Sequence, residues 1–166
     1  MVAALALLLA ACSSSGGGSS TAAAGSTGVN TATEAPTTAA AVAAGTPVVV
    51  TLGETDVSHM FMNVDSKTAP AGPVSFTVTN EGVKKHEFVV LSTDTQAADF
   101  PIASFEGEKD RMNEDSEGMK NLGETGDMDP GSTQILTMKL PPGHYALVCN
   151  LPGHYRMGMY TDFVVS

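Results

Sequence analysis

The stretch VSFTVTN, residues 74–80, sets Val74, Phe76 and Val78 on one face of an extended chain and Ser75, Thr77 and Thr79 on the other. Period-two alternation of this kind marks a half-buried strand. Working outward, strand-like composition recurs in six more short runs, at 47–52, 57–64, 86–91, 133–140, 144–149 and 160–165. Turn-forming residues punctuate them: PAGP at 70–73, NEG at 80–82, DPG at 129–131, PPG at 141–143 and the pair Pro152-Gly153. No long amphipathic helix intervenes. About seven to eight short strands so punctuated predict an all-β protein, a Greek-key β-sandwich, in one domain over 47–166. Between 93 and 131 the periodicity fades; 97–105 is expected to form a short helix or turn.

Two segments ahead of the domain are hydrophobic or small for reasons other than packing. Residues 1–12, MVAALALLLAAC, carry an apolar run of about ten residues, too short to cross a hydrocarbon core of about 30 Å as a helix. The run resembles the signal of a bacterial lipoprotein, with Cys12 the lipidated residue, although no Lys or Arg precedes it. An ordinary secretory peptide is the other reading. Residues 13–46 are built mainly from Ser, Thr, Gly and Ala, with one Glu and one Pro before Pro47, a composition that cannot bury enough apolar area to fold. They are expected to act as a disordered tether, with an end-to-end distance of roughly 30 Å.

Net charge is −10. Residues 106–129 hold nine acids against three bases and are expected to form a solvated loop; a docking patch for a basic redox partner and a weak Ca²⁺ site are the other readings. A polyanion needs a basic surface, so nucleic acid is excluded as a partner. With Cys12 lipidated, Cys149 is the one thiol left, and no disulfide forms within the chain. A free thiol outside the cytoplasm calls for burial or occupation, and a metal occupies it.

The stretch CNLPGHYRMGM, residues 149–159, gathers thiolate, imidazole and thioether on a loop turned by Pro152 and Gly153. Trigonal His₂Cys ligation with a weak axial Met suits copper, lying between the preferences of its two oxidation states. His86, after the polar turn NEG and opening a strand, is the candidate for the second imidazole. His144 lies five residues before Cys149 in one strand and so faces the opposite side of the sheet. His59, in a strand beside Met60, is the lesser alternative.

TVTNEGVKKHEFVVL with LPPGHYALVCNLPGHYRMGMYTDFVV resembles the cupredoxin family of type 1 blue copper proteins, the similarity covering about 48–166. The resemblance implies a cupredoxin-like sandwich holding one type 1 copper on His86, Cys149, His154 and Met159, with Met157 the other axial candidate. Glu87 departs from the Asn that many relatives carry there to pin the ligand loops together. It further implies an electron carrier and not an enzyme, serving redox partner proteins. With the lipoprotein-like signal at Cys12 the expectation is a monomer anchored by lipid on the extracytoplasmic side of a bacterial membrane, and with the acidic stretch a partner of basic surface. His154 is then the electron port, ringed by Pro142, Leu151, Pro152 and Met157. A copper-buffering or delivery protein is the alternative, suggested by the SHMFM stretch at 58–62.

Overall fold

In the computed structural model residues 45–56 and 58–166 are described. The signal at 1–12 with Cys12, and the tether as far as residue 44, lie outside them. Gly45 and Thr46, assigned to the tether by composition, belong to the domain: Gly45 is buried and Thr46 pairs with Val74.

Eleven strands are present among the described residues: β1 (Thr46–Glu54), β2 (Met60–Val64), β3 (Thr68–Ala69), β4 (Gly72–Asn80), β5 (Val89–Thr93), β6 (Ile102–Phe105), β7 (Glu108–Met112), β8 (Met119–Glu124), β9 (Thr133–Leu140), β10 (Gly143–Val148) and β11 (Tyr160–Val165). One sheet runs β2-β1-β4-β9, the other β3-β11-β10-β5-β8, and β6-β7 form a separate hairpin. β1 lies parallel to β4 and β3 parallel to β11; the other pairings are antiparallel. The protein is thus all-β, as expected, with nine strands in the two main sheets.

The alternation in VSFTVTN points Val74, Phe76 and Val78 into the space between the sheets, where each is fully buried. Phe76 packs on Phe88 at 5.2 Å and on Phe163 at 5.5 Å between ring centroids, joining the two sheets. Burying such a side chain contributes about 1.5–3 kcal/mol. Cys149 and Met159 lie in this same core.

A second apolar cluster covers the outer face of β5 and β10, with Val89, Leu91, Ala146 and Val148 meeting Ala97, Phe100, Met112 and Tyr155. Strands buried on both faces need apolar residues at successive positions, which is why FVVL and ALVC run unbroken.

Four local expectations are corrected. The strand expected from 57 starts at Met60 and leaves His59 outside, because Asp56 accepts the N–H groups of Ser58 and His59 in a turn. His86 does not open a strand: it makes an isolated bridge with Met128, and β5 begins at Val89. The helix or turn expected over 97–105 is a turn only at Ala97 and Ala98, and 102–105 is extended as β6. The acidic stretch is not a simple solvated loop, since it holds β7 and β8 and buries Met112, Glu114 and Met128.

Candidate metal centre

Asn80, the last residue of β4, shapes the approach to His86. Its side-chain amide donates to the carbonyls of Lys84 and Met128, at 2.8 and 2.9 Å, and its carbonyl accepts from Gly82 N–H. Asn is suited to such a turn because its side chain mimics a peptide group. His86 is then fixed by reciprocal backbone bonds with Met128, at 3.2 and 2.7 Å, and is wholly buried.

Cys149 follows directly from β10, and its N–H donates to Met159 O at 2.9 Å. The intervening chain folds back through Gly153, at φ +83°, and Gly158, at φ +102°, a left-handed backbone open to glycine. At Gly158 a Cβ would also stand 3.2 Å from Met60 O. Tyr155 anchors the loop from outside, donating its hydroxyl to Ala97 O at 2.7 Å and accepting from Phe100 N–H. Asp110 adds a second anchor: its carbonyl accepts from Gly153 N–H and its carboxylate accepts from Arg156 at 2.7 Å.

These elements bring His86, Cys149 and His154 together, with one ligating atom from each within 4.8 Å of the others. His86 Nδ1 and His154 Nδ1 are 3.1 Å apart, and Cys149 Sγ is 3.4 Å from His154 Nδ1. Burial pulls the His154 ring down to about 4 and lowers His86, so both are neutral near pH 7 with a lone pair to give. Burial pushes the Cys149 thiol up to about 12, although the N–H groups of Glu87 and Leu151 favour the thiolate. Such a sulfur gives its proton up to solvent when a metal cation takes the proton's place on it. Two neutral imidazoles and one thiol converging on one point fit the His₂Cys set of a type 1 copper.

Met159 is fully buried in the core beside Cys149, whereas Met157 is half-buried. His144 is elsewhere, bonded to Thr93 O and Asp162, and exposed His59 pairs with Asp56. Pro142 is misplaced by the resemblance: it lines a cleft with Ser92, Gly118 and His144 at the far end of β10. Six residues at about 3.3 Å each separate that end from Cys149.

The residues around the ligands escape sequence reasoning, except Glu87. Its N–H points to Cys149 Sγ at 3.4 Å, and its carboxylate accepts Asn150 N–H at 2.8 Å. The tether between ligand loops is therefore made, by Glu in place of Asn. Burial raises the Glu87 carboxyl to about 7 against the opposing charge of Arg111. Asn150 continues the network, donating to Glu114 at 2.7 Å and to Met112 O. Glu54 had no signal at all. Its carboxylate accepts Val83 and Lys84 N–H at 2.9 and 3.0 Å, and Oε1 stands 3.2 Å from His86 Nε2. Burial works to raise the Glu54 carboxyl, but those N–H groups and the His86 ring together leave it lowered.

The sulfocyanin (SoxE) domain family model matches residues 66–166. The chain belongs to this family of cupredoxins. Among solved structures, this sulfocyanin domain is similar to rusticyanin from Thiobacillus ferrooxidans, 19% identical over 74% of this chain and 79% of that one, with a TM-score of 0.50. An azurin from Methylomonas sp. strain J is 16% identical over 74% and 99%, also at 0.50. An auracyanin from Roseiflexus castenholzii is 20% identical over 74% and 98%, at 0.47. No curated protein matches the sequence. Cupredoxins hold one type 1 copper and carry electrons, and the His86, Cys149 and His154 cluster is the copper site of this sulfocyanin domain.

Proposed function

We propose that this protein is a membrane-tethered carrier of single electrons, in which Met159 completes the copper site from the axial position. The convergence of three ligating atoms within 4.8 Å at the end of the sandwich carries the reading. Copper in such a site exchanges one electron with little rearrangement of its ligands. The chain contributes the rigidity this requires. Cys149 and His86 are fully buried on backbone held by Met159 and Met128, and His154 is pinned by a loop braced at Tyr155 and Asp110. His154 is half-buried, so its ring is the way in for an electron, with Leu151, Pro152 and Met157 beside it on the loop.

Cupredoxins work outside the cytoplasm, and the apolar run ending at Cys12 supports lipid anchoring there. No helix among the described residues is long and apolar enough to cross a membrane. Exposed acids such as Glu106 and Asp129 favour redox partners of basic surface. The copper-delivery alternative loses its support in the SHMFM stretch: Met60 and Met62 are core residues, and His59 is turned to Asp56.

Copper titration followed by visible absorption and paramagnetic resonance tests this reading. One equivalent is expected to give an intense charge-transfer band that Cys149→Ser abolishes. A colourless protein, or tight Cu(I) binding that survives Cys149→Ser, refutes the carrier.

A further inference from the structure

His86 has two ring nitrogens and the site uses one. Nδ1 faces His154 Nδ1 at 3.1 Å, while Nε2 faces a carboxylate, an acceptor that draws the ring proton to Nε2 whether or not Nδ1 ligates. That Nε2 is buried and makes no hydrogen bond of good geometry. A carboxylate oxygen, Glu54 Oε1, lies 3.2 Å from it, within ion-pair reach but off the line of the N–H. The Glu54 side chain is 7% exposed and comes from the end of β1, ahead of the residues that match the sulfocyanin family.

Several features aim this carboxylate. The parallel pairing of β1 with β4 sets Leu52 opposite Asn80, and Leu52 O accepts Glu81 N–H at 2.9 Å. Glu54, two residues on, therefore stands under the loop that leads to His86. The N–H groups of Val83 and Lys84 hold its two oxygens. Gly82 leaves the space: a Cβ there would collide with Glu54 Oε2 and come within 2.9 Å of His86 Nε2. A ligating imidazole commonly gives its second N–H to an outer partner that fixes the tautomer and raises the basicity of the ligating nitrogen. A carboxylate does this with a full negative charge, which favours the more positive of two metal oxidation states.

We propose that Glu54 is the positioning residue of the copper site: its carboxylate draws the Nε2–H of His86, turns Nδ1 toward Cys149 and His154, and holds the reduction potential down. The potential half rests on the copper reading above; the tautomer half does not.

The deciding variant is Glu54→Gln, which keeps shape and acceptor oxygen and removes the charge. In the copper-loaded chain the type 1 spectrum is expected to persist, while the Cu(II):Cu(I) ratio at fixed poise falls about tenfold, a rise of about 59 mV for one electron. Gly82→Ala, which pushes carboxylate and ring apart without altering any charge, should move the potential in the same direction by less, and stands in if Glu54→Gln does not fold. A ratio changed by less than twofold in both variants overturns the proposal, since a mere clamp on Val83 and Lys84 would alter stability and leave the couple in place. In the copper-free chain, nitrogen-15 spectra should show His86 as the Nε2–H tautomer, its proton resonance moving in Glu54→Gln. An Nδ1–H tautomer, or an Nε2–H unmoved by the substitution, overturns the positioning role. A parent protein with no charge-transfer band would defeat the copper reading and the potential half with it, while the tautomer still decides whether Glu54 holds His86.

Discussion

His86 with Glu54 and His59 with Asp56 are the same two groups at nearly the same distance, 3.2 and 3.1 Å, in opposite surroundings. The first pair has side chains 0% and 7% exposed; the second has 73% and 53%. His144 with Asp162, at 3.0 Å with 18% and 39%, lies between them. A separation alone therefore says little about what such a pair does. In water the interaction is screened, and ordering two side chains offsets most of what is left. In the interior each group has lost its solvent, and every proton and lone pair must be placed by the protein. His86 is the ring whose second nitrogen also meets other ligating atoms, and so it is the pair in which burial and ligation coincide.

Removing the buried ring is the strongest way to break the contrast. His86→Ala deletes one of the three converging ligand atoms and the Nε2 edge that faces the Glu54 carboxylate. The charge-transfer band should be lost or shifted out of the type 1 range, and the copper-free chain should lose about 3 kcal/mol in denaturant unfolding, the lower end of the cost of orphaning a buried charge. Glu54 keeps its bonds from Val83 and Lys84, which is why the higher end is not expected. A type 1 spectrum surviving in His86→Ala would remove this histidine from the site.

The buried region also has a pH signature made of contributions of opposite sign, in which His86 and Glu54, both lowered, act in the same direction as His154 and against Glu87. In the copper-free chain the His154 ring falls from 6.5 to about 4, through burial and then the charges of His86 and Lys84. The unfolded chain therefore binds this proton more readily between those values, and stability is lost as the pH drops through that window. Glu87 rises from 4.5 to about 7 by burial, so the folded state is the one that holds its proton, and stability is lost as the pH rises from 4.5 to about 7. In the parent chain the two slopes offset each other. Glu87→Gln should expose the histidine contribution, with unfolding midpoints falling from pH 6.5 toward 4; His154→Gln should expose the carboxyl contribution, with midpoints falling from 4.5 toward 7. Slopes that do not separate in this way would mean that neither group is held in the interior as the structure has it.

What was legible in the sequence divides along the same line between local and distant causes. The runs 133–140 and 160–165 coincide with β9 and β11, and the Cys149-to-Met159 motif could be read because its spacing is local. β7 has the sequence EKDRM, exposed for most of its length; it pairs with β6 through a turn at Glu106 and Gly107, φ +51° and +85°. Backbone hydrogen bonds and a turn create such a hairpin, and neither leaves a hydrophobic period in the sequence. Glu54 was hidden for a different reason. It reaches His86 only because β1 and β4 run side by side in one register, a long-range fact that no window around residue 54 contains. Glu87 departs from the Asn of many relatives, and its contact with Asn150 shows that an acceptor oxygen other than that of Asn can make the tether.

The exposed pair supplies the smallest expected effect and the complement of the first. The N–H of Ser58 and then its hydroxyl, with His59, hold the Asp56 carboxyl well below the usual carboxylate range. The sign is that of a lowered acid: whatever the turn gains is present above about 3.8 and is lost as the pH falls below it. Because the group stands in water, that gain stays in the turn. Asp56→Asn keeps an acceptor oxygen and discards the charge, so the amide protons of Ser58 and His59 should exchange several-fold faster while Tm, the copper spectrum and the reduction potential stay where they are. A fall in Tm as large as that of His86→Ala would make the exposed pair equal to the buried one, and burial would no longer explain the difference between them.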